Sequence, residues 1–260
     1  METGEIRDPS AEIVYRLCHQ HDEFRACMEI ERRVWGDPEL SVPLTLYVVA
    51  AENGGQVIGA FSGTRMIGFT YALPGYRDGR VYLCSHMTAV LPEFRDQGVG
   101  RGLKLFQRQE ALARGLRRVE WTFDPLEIKN AYFNLVRLGA IARRYIPNCY
   151  GLTTSPLHAR LPTDRLVAEW ELVSSRVEAC LRGHPPRVGS QAVRIAVPLA
   201  QALARFRDPE TGLALQARLR QEFQQWFERG YVAVSLEVSG HTAFYVLVPG
   251  NEPGLDPQQR

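Results

Sequence analysis

This sequence has almost no lysine: only Lys104 and Lys129 carry an ammonium group, and the remaining basic residues are arginines. Recognition of phosphate or carboxylate therefore falls to guanidinium groups, whose planar fork holds such anions in bidentate fashion. The same enrichment also follows from genome composition alone. Neither sign of charge is in excess. The 260 residues carry 31 Lys and Arg against 29 Asp and Glu, a net charge of +2. Nothing in that balance calls for nucleic acid or a membrane surface as partner. The five cysteines (Cys18, Cys27, Cys84, Cys149, Cys180) include no C-x-x-C pair. That argues against a zinc site and a disulfide framework and fits a reducing compartment. His19 and His21 have no further ligand nearby in sequence, so no metal site is expected. No apolar run approaches a membrane span, and the first residues lack the basic-then-apolar pattern of a signal peptide. Cytoplasmic is the default reading. Internal repeats and low-complexity runs are missing as well.

What is present is clear periodicity broken by glycine. Residues 13–17 read as a strand, and 21–35 as a helix stopped by Gly36. Residues 46–51 and 57–61, joined through Glu52-Asn53-Gly54-Gly55, carry a hairpin signal. Residues 66–72 and 81–90 read as strands, 103–116 as an amphipathic helix and 119–123 as a short strand. Asp124-Pro125-Leu126-Glu127 has the form of a helix start, with Asp124 as cap. The helix then runs to Gly139, and 140–150 is the next strand. A shift to Thr, Ser and Pro after Gly151 marks a boundary. Beyond it, 165–181 and 213–229 read as helices, 193–197 as a strand, and 231–238 with 242–248 as a hairpin. The expected architecture is mixed α+β. A main domain spans 12–160, a small α/β extension spans 161–249, and residues 1–11 and 250–260 are loose ends.

The stretch Val90 to Gly102 joins the long strand to the amphipathic helix. Arg95-Asp96-Gln97-Gly98-Val99-Gly100 places two glycines where backbone N–H groups can face outward at a helix start. Such an N-terminus suits an anion such as a pyrophosphate. Arg101 and Lys104 oppose the helix dipole, which makes phosphate contact the obvious candidate role for both. An ordinary tight strand–helix turn that needs glycine accounts for the same residues.

The element order and this turn resemble the GNAT superfamily of CoA-dependent N-acyltransferases over roughly residues 12–151. Val90-x-Pro92 before the turn and Leu138-Gly139-Ala140 after the last helix match at the right spacing. Ser85–Met87, Leu103–Arg108, Trp121–Leu126, Asn130–Asn134, Tyr150-Gly151 and Asp164-Arg165 further resemble predicted acetyltransferases associated with N-acylamino-acid racemases. Those are linked to succinylation of amino acids. The resemblance implies a central mixed, mostly antiparallel sheet flanked by helices. It implies acetyl-CoA or succinyl-CoA as acyl donor and a small amine, such as an amino acid, as acceptor. A homodimer is compatible with it.

For site residues, the resemblance puts the CoA pyrophosphate on Arg95, Asp96, Gln97, Gly98, Val99, Gly100 and Arg101, and pantetheine along the backbone of Thr88, Ala89 and Val90. Asn130 and Asn134, four apart on one helix face, could reach CoA or substrate, or line a polar rim. His86 is the natural general base, since an unperturbed imidazole titrates near working pH. A hydrogen-bonded structural histidine is the alternative, and Glu120 is the runner-up base. Members of the superfamily often use a tyrosine four residues before the terminal glycine to protonate the departing thiolate. Here that position is Leu135, so Tyr132 or water takes the role, or the thiolate leaves unassisted. Arg143 and Arg144 are candidates to read a succinyl carboxylate, with alternation sending them to opposite faces. The missing tyrosine also favours a second class of function, a non-catalytic acyl-CoA-binding or regulatory protein. A nucleotide-phosphate protein ranks far behind, since no G-K-[ST] follows Gly98.

Overall fold

The computed structural model describes residues 12–36, 41–77, 79–252 and 254–255. The expectations for residues 1–11 and most of the C-terminal tail lie outside these. The chain forms two compact units, one of Met1–Pro74 with Ser85–Ala113 and the other of Gly75–Cys84 with Arg114–Arg260.

The first unit contains β1 (Ile13–Leu17), α1 (His21–Trp35), α2 (Leu44–Glu52), β2 (Gln56–Ser62), most of β3 (Arg65–Arg77), the end of β4 (Arg80–Val90) and α3 (Val99–Ala113). Helix α1 has its acids Asp22 and Glu23 in the first turn and Arg32 and Arg33 in the last, each complementing the helix dipole. Gly36, at φ 66°, ends it. β1 pairs antiparallel with β2, and β2 with β3. Phe24, Tyr47, Phe69 and Tyr71 form one aromatic run in the core, with ring centroids 4.8 to 6.2 Å apart.

One expectation fails here. Residues 46–51 are not a strand but belong to α2, which buries Tyr47 and Ala50 and leaves Leu46 and Val49 exposed. The Asn-Gly-Gly sequence terminates this helix instead of closing a hairpin: Gly54 takes φ +80°, and Gly55 N–H donates to Ala50 O at 2.8 Å. A left-handed glycine serves both purposes equally well. Gly102 has a packing role, because a Cβ there would lie 2.1 Å from the Tyr15 hydroxyl of β1.

In the second unit the start of β4 is followed by β5 (Arg118–Phe123), α4 (Ile128–Tyr132), β6 (Ile141–Ile146), β7 (Arg165–Glu171), α5 (Ser175–Leu181), β8 (Val193–Pro198), α6 (Leu199–Ala204), α7 (Pro209–Glu228), β9 (Tyr231–Ser239) and β10 (Thr242–Pro249). Its strand order is β4-β5-β7-β6-β9-β10-β8. β4 and β5 are parallel at Leu83↔Val119 and Cys84↔Glu120, and the remaining pairs are antiparallel. Tyr145, Phe223 and Tyr245 anchor α7 on the sheet. The Asp164 carboxylate is fully buried. It accepts hydrogen bonds from the Tyr145 hydroxyl at 2.7 Å, Asn148 N–H at 2.9 Å, and Arg220 Nε and Nη2 at 2.9 Å each.

Residues 165–181, expected as one helix, are strand β7 and then helix α5. β7 lies between β5 and β6 and is buried along nearly its whole length. A strand covered on both faces loses the period-two pattern that would reveal it. The true helix start is Ser174, whose hydroxyl accepts from Val177 N–H. Asp124 does not cap a helix at 125; its Oδ1 accepts from Leu126 N–H at 2.7 Å in a tight turn, and α4 begins at Ile128. α4 then widens into a π-turn over Phe133–Arg137, where Leu138 N–H bonds Phe133 O at 2.9 Å. Strand β6 ends at Ile146, short of the expected residue 150.

Candidate functional site

In the first unit, β4 ends where Leu91 N–H bonds Ile67 O, and a short turn at Pro92–Phe94 leads toward α3. Arg95 Nε donates to Val90 O at 3.2 Å and Gln97 Nε2 to Glu93 O at 3.0 Å, so both side chains brace the turn itself. Asp96 at φ +63° and Gly98 at φ +83° swing the backbone into the helix. Val99, 1% exposed, anchors its first residue in the core. Helix α3 starts within the glycine turn, four residues earlier than expected. Its ladder opens with Gly102 N–H to Gly98 O at 2.9 Å, so the amides of Val99 and Gly100 stand ahead of it. A Cβ at Gly98 would meet nothing within 4 Å, and one at Gly100 only Val90 Cγ2 at 3.9 Å. The turn is therefore a backbone surface left open by two missing side chains at the positive end of a 15-residue helix. That is a fit for a diphosphate.

Lys104 does not join it, against expectation. Its side chain turns inward, 3% exposed, with Nζ 2.8 Å from Ser85 Oγ and 3.0 Å from Gln107 Oε1. It sits on the face of α3 that also buries Leu103, Gln107 and Ala111.

Along β4, burial alternates as predicted: Ser85, Met87 and Ala89 are buried, while His86 is exposed and Thr88 and Val90 are half-buried. Thr88 Oγ1 shares a hydrogen bond with Thr70 Oγ1. Tyr71 meets the His86 imidazole edge-on with centroids 6.2 Å apart. Although solvent reaches the imidazole, surrounding protein desolvates it and lowers its pKa from the ordinary 6.5. Desolvation thus favours the neutral ring, the form that can accept a proton.

In the second unit, Glu120 is the centre of an ion-pair lattice on one face of β5, β6 and β7. Its Oε2 takes Arg77 Nη1 at 2.6 Å and Arg144 Nη2 at 2.5 Å, and its Oε1 lies 2.9 Å from Arg118 Nε. Glu169 takes Arg118 Nη2 at 2.7 Å, Arg143 Nε at 3.2 Å and Arg144 Nε at 3.3 Å. Both oxygens of Glu120 are occupied by guanidinium groups, so its reading as runner-up base gives way to an ion-pair role.

The lattice also corrects the expected placement of Arg143 and Arg144. They lie on the same face, both against Glu169. Between Ala142↔Ala168 and Tyr145↔Leu166 the register shifts, so two residues of β6 oppose only Val167 of β7. A bulge of this kind cancels the alternation.

Asn134 is buried, its Oδ1 accepting from Trp121 Nε1 at 3.2 Å and its Nδ2 donating to exposed Asn130 at 3.4 Å. It therefore belongs to the packing of this unit and not to a substrate-facing rim. Leu135 is fully buried and Tyr132 is 42% exposed. Among the described residues, no group of three or more His, Cys, Asp or Glu could hold a metal ion, and no helix is long and apolar enough to cross a membrane.

The sequence reading missed Arg77, Arg118 and Glu169. The Arg118-x-Glu120 and Glu169-x-Glu171 spacings were the available signal, because period-two charge marks one face of a sheet.

Residues 14–133, a little under half of the chain, match the family model described as Acetyltransferase (GNAT) family. The chain is similar in structure to the ribosomal-protein-S18-alanine N-acetyltransferase from Escherichia coli, with 16% identity, 62% of this chain and 94% of that one covered, and a TM-score of 0.50. It is similar to the NatC complex bound to Gag peptide and CoA, at 14% identity, 62% and 98% coverage, and a TM-score of 0.51. It is also similar to Arabidopsis thaliana NAA60 in complex with a bisubstrate analogue, at 12% identity, 61% and 97% coverage, and a TM-score of 0.50. A comparison with curated proteins finds no match. The mixed α+β arrangement, with its mostly antiparallel sheet flanked by helices, is the GNAT acetyltransferase fold.

Proposed function

We propose that this chain, with its GNAT acetyltransferase fold, is an acyl-CoA-dependent N-acyltransferase moving an acetyl or succinyl group to the amine of a small molecule such as an amino acid. The observation that carries the reading is the open glycine turn at the N-terminus of α3, where the backbone of Gly98, Val99 and Gly100 would hold the CoA pyrophosphate. Thr88, Ala89 and Val90 would present the β4 backbone to the pantetheine arm. Arg95 and Gln97 brace the turn, and Asp96 and Arg101 complete it.

Direct attack on a thioester needs a neutral amine and a stabilised oxyanion. His86, whose neutral form desolvation favours, accepts the amine's proton directly or through water. Backbone N–H groups at the end of β4 would face the thioester carbonyl. The departing thiolate takes a proton from Tyr132 or from water, Leu135 having none to give. The five free cysteines suit a reducing cytoplasm.

The test is free-thiol release from acetyl-CoA and succinyl-CoA against a panel of amino acids and simple amines. Amine-dependent thiol release supports catalysis. CoA binding without turnover on any amine selects the non-catalytic alternative, an acyl-CoA-binding or regulatory protein.

A further inference from the structure

Within the first unit, a residue of the core touches the imidazole that solvent reaches. Tyr71 of β3 is 1% exposed and lies beside His86 of β4, with ring centroids 6.2 Å apart and planes at 74°. That is a near-perpendicular aromatic contact. Two further contacts fix the tyrosine. Its hydroxyl donates to Leu46 O at 3.1 Å, in the first turn of α2. Its ring packs against Tyr47 of the same helix, 4.8 Å away. Tyr47 in turn donates its hydroxyl to Glu31 Oε2 at 3.1 Å, and Glu31 Oε1 accepts from Val42 N–H at 2.9 Å. Glu31 is 3% exposed, so a buried carboxyl group of α1 ties down the start of α2 and the ring behind Tyr71.

Burial and the nearby Glu31 push the Tyr71 phenol up to about 12. It therefore keeps its proton, and its bond to Leu46 O, throughout the range in which an imidazole titrates. A ring held both at its face and at its hydroxyl is not free to swing away from its neighbour. An aromatic surface in that place keeps water from one side of the imidazole, which penalises the charged ring more than the neutral one. Burial is also the cause that lowers the His86 pKa. The ionisable groups ranged on this side of it are Tyr71 of β3, then Tyr47 of α2 and Glu31 of α1.

We propose that Tyr71 is a positioning residue for His86, its anchored ring orienting the imidazole and keeping water from one side of it. Tyr71 acts through His86 and not on the reacting atoms. Its place in catalysis rests on the reading of His86 as general base, whereas its hold on the imidazole can be measured without turnover.

The experiment follows the His86 imidazole of the full chain by NMR through a pH titration, its signal assigned by its loss in His86→Gln. Tyr71→Leu removes the ring, and His86 should then titrate at higher pH, toward the ordinary 6.5. Tyr71→Phe keeps the ring but loses the bond to Leu46 O, and should give a smaller rise. Phe69→Leu removes another ring of the same aromatic run, 6.2 Å from Tyr47, and should leave the His86 titration where it is. The same variants are assayed for amine-dependent thiol release, where the acid limb of kcat/KM should move with the NMR value. If the NMR titration moves and the limb does not, His86 is not the base, while the hold of Tyr71 on the imidazole is upheld. The proposal is overturned if folded Tyr71→Leu leaves the His86 titration as in wild type. Where that variant does not fold, an unchanged titration in Tyr71→Phe overturns it. It is overturned equally if Phe69→Leu shifts His86 as far as the Tyr71 variant does.

Discussion

Gly100 offers a perturbation that separates folding from cofactor binding. It lies in the first turn of α3 with an ordinary helical backbone, and an added Cβ meets only Val90 Cγ2 at 3.9 Å. Gly100→Ala should therefore be neutral or stabilising by up to about 1 kcal/mol, the helix-propensity difference between the two residues. Gly100→Val should stay folded, since its methyl groups extend into the same open space. Both place carbon where the diphosphate would approach the backbone. Loss of even one charge-assisted hydrogen bond there costs about 1.5–3 kcal/mol, roughly tenfold to a hundredfold in CoA affinity. Valine, the bulkier, should lose more. Neighbouring glycines are poorer probes. Gly98 sits at φ +83°, so any substitution strains the backbone by about 1–2 kcal/mol. Gly102 would drive a Cβ to 2.1 Å from Tyr15. The assays are calorimetric titration with CoA and a thermal melt by circular dichroism on the same preparation. A Gly100→Val protein that melts like wild type and binds CoA with unchanged affinity would refute the placement of the pyrophosphate.

The remaining expectations concern other parts of the molecule. Desolvation lowers the His86 pKa below 6.5, so the base is lost only as pH falls through that depressed value. The acid limb of kcat/KM should lie below pH 6.5. His86→Ala should depress turnover most at neutral pH, with relief at high pH where the amine is already neutral; a profile overlaying wild type removes His86 from the mechanism. Tyr132→Phe should lose less than about tenfold in the same assay. Lys104→Met should leave CoA affinity within about twofold while lowering stability, because Ser85 Oγ and Gln107 Oε1 lose their donor. A loss of CoA affinity of about tenfold would restore Lys104 as a phosphate ligand. Arg220→Met leaves the Asp164 carboxylate buried without its counter-charge and should destabilise by about 3–5 kcal/mol in a urea titration. A change below about 1 kcal/mol would mean that Tyr145 and Asn148 suffice to hold Asp164.

Much of this molecule was legible before folding was considered. β1 and α1 lie where the pattern put them, as does the β9–β10 hairpin. The turn from Arg95 to Gly100 could be read as a helix start open to an anion because its signal is local: glycine placement and the amides ahead of the first helical bond. Gly36 and Gly139 ended their helices as expected, at φ 66° and +77°. Such signals depend on residues within one turn of each other.

Tertiary structure decided the rest, because the partners are far apart in the chain. Arg77 reaches Glu120 across 43 residues, and Arg144 reaches Glu169 across 25. No window of sequence contains both members of either pair. Lys104 points inward because Ser85, 19 residues away, supplies an acceptor beneath the helix. Strand β7 looked helical because burial on both faces erased its alternation. The bulge in β6 reversed the reading of Arg143 and Arg144, since register is a property of two strands and the sequence of one does not contain it.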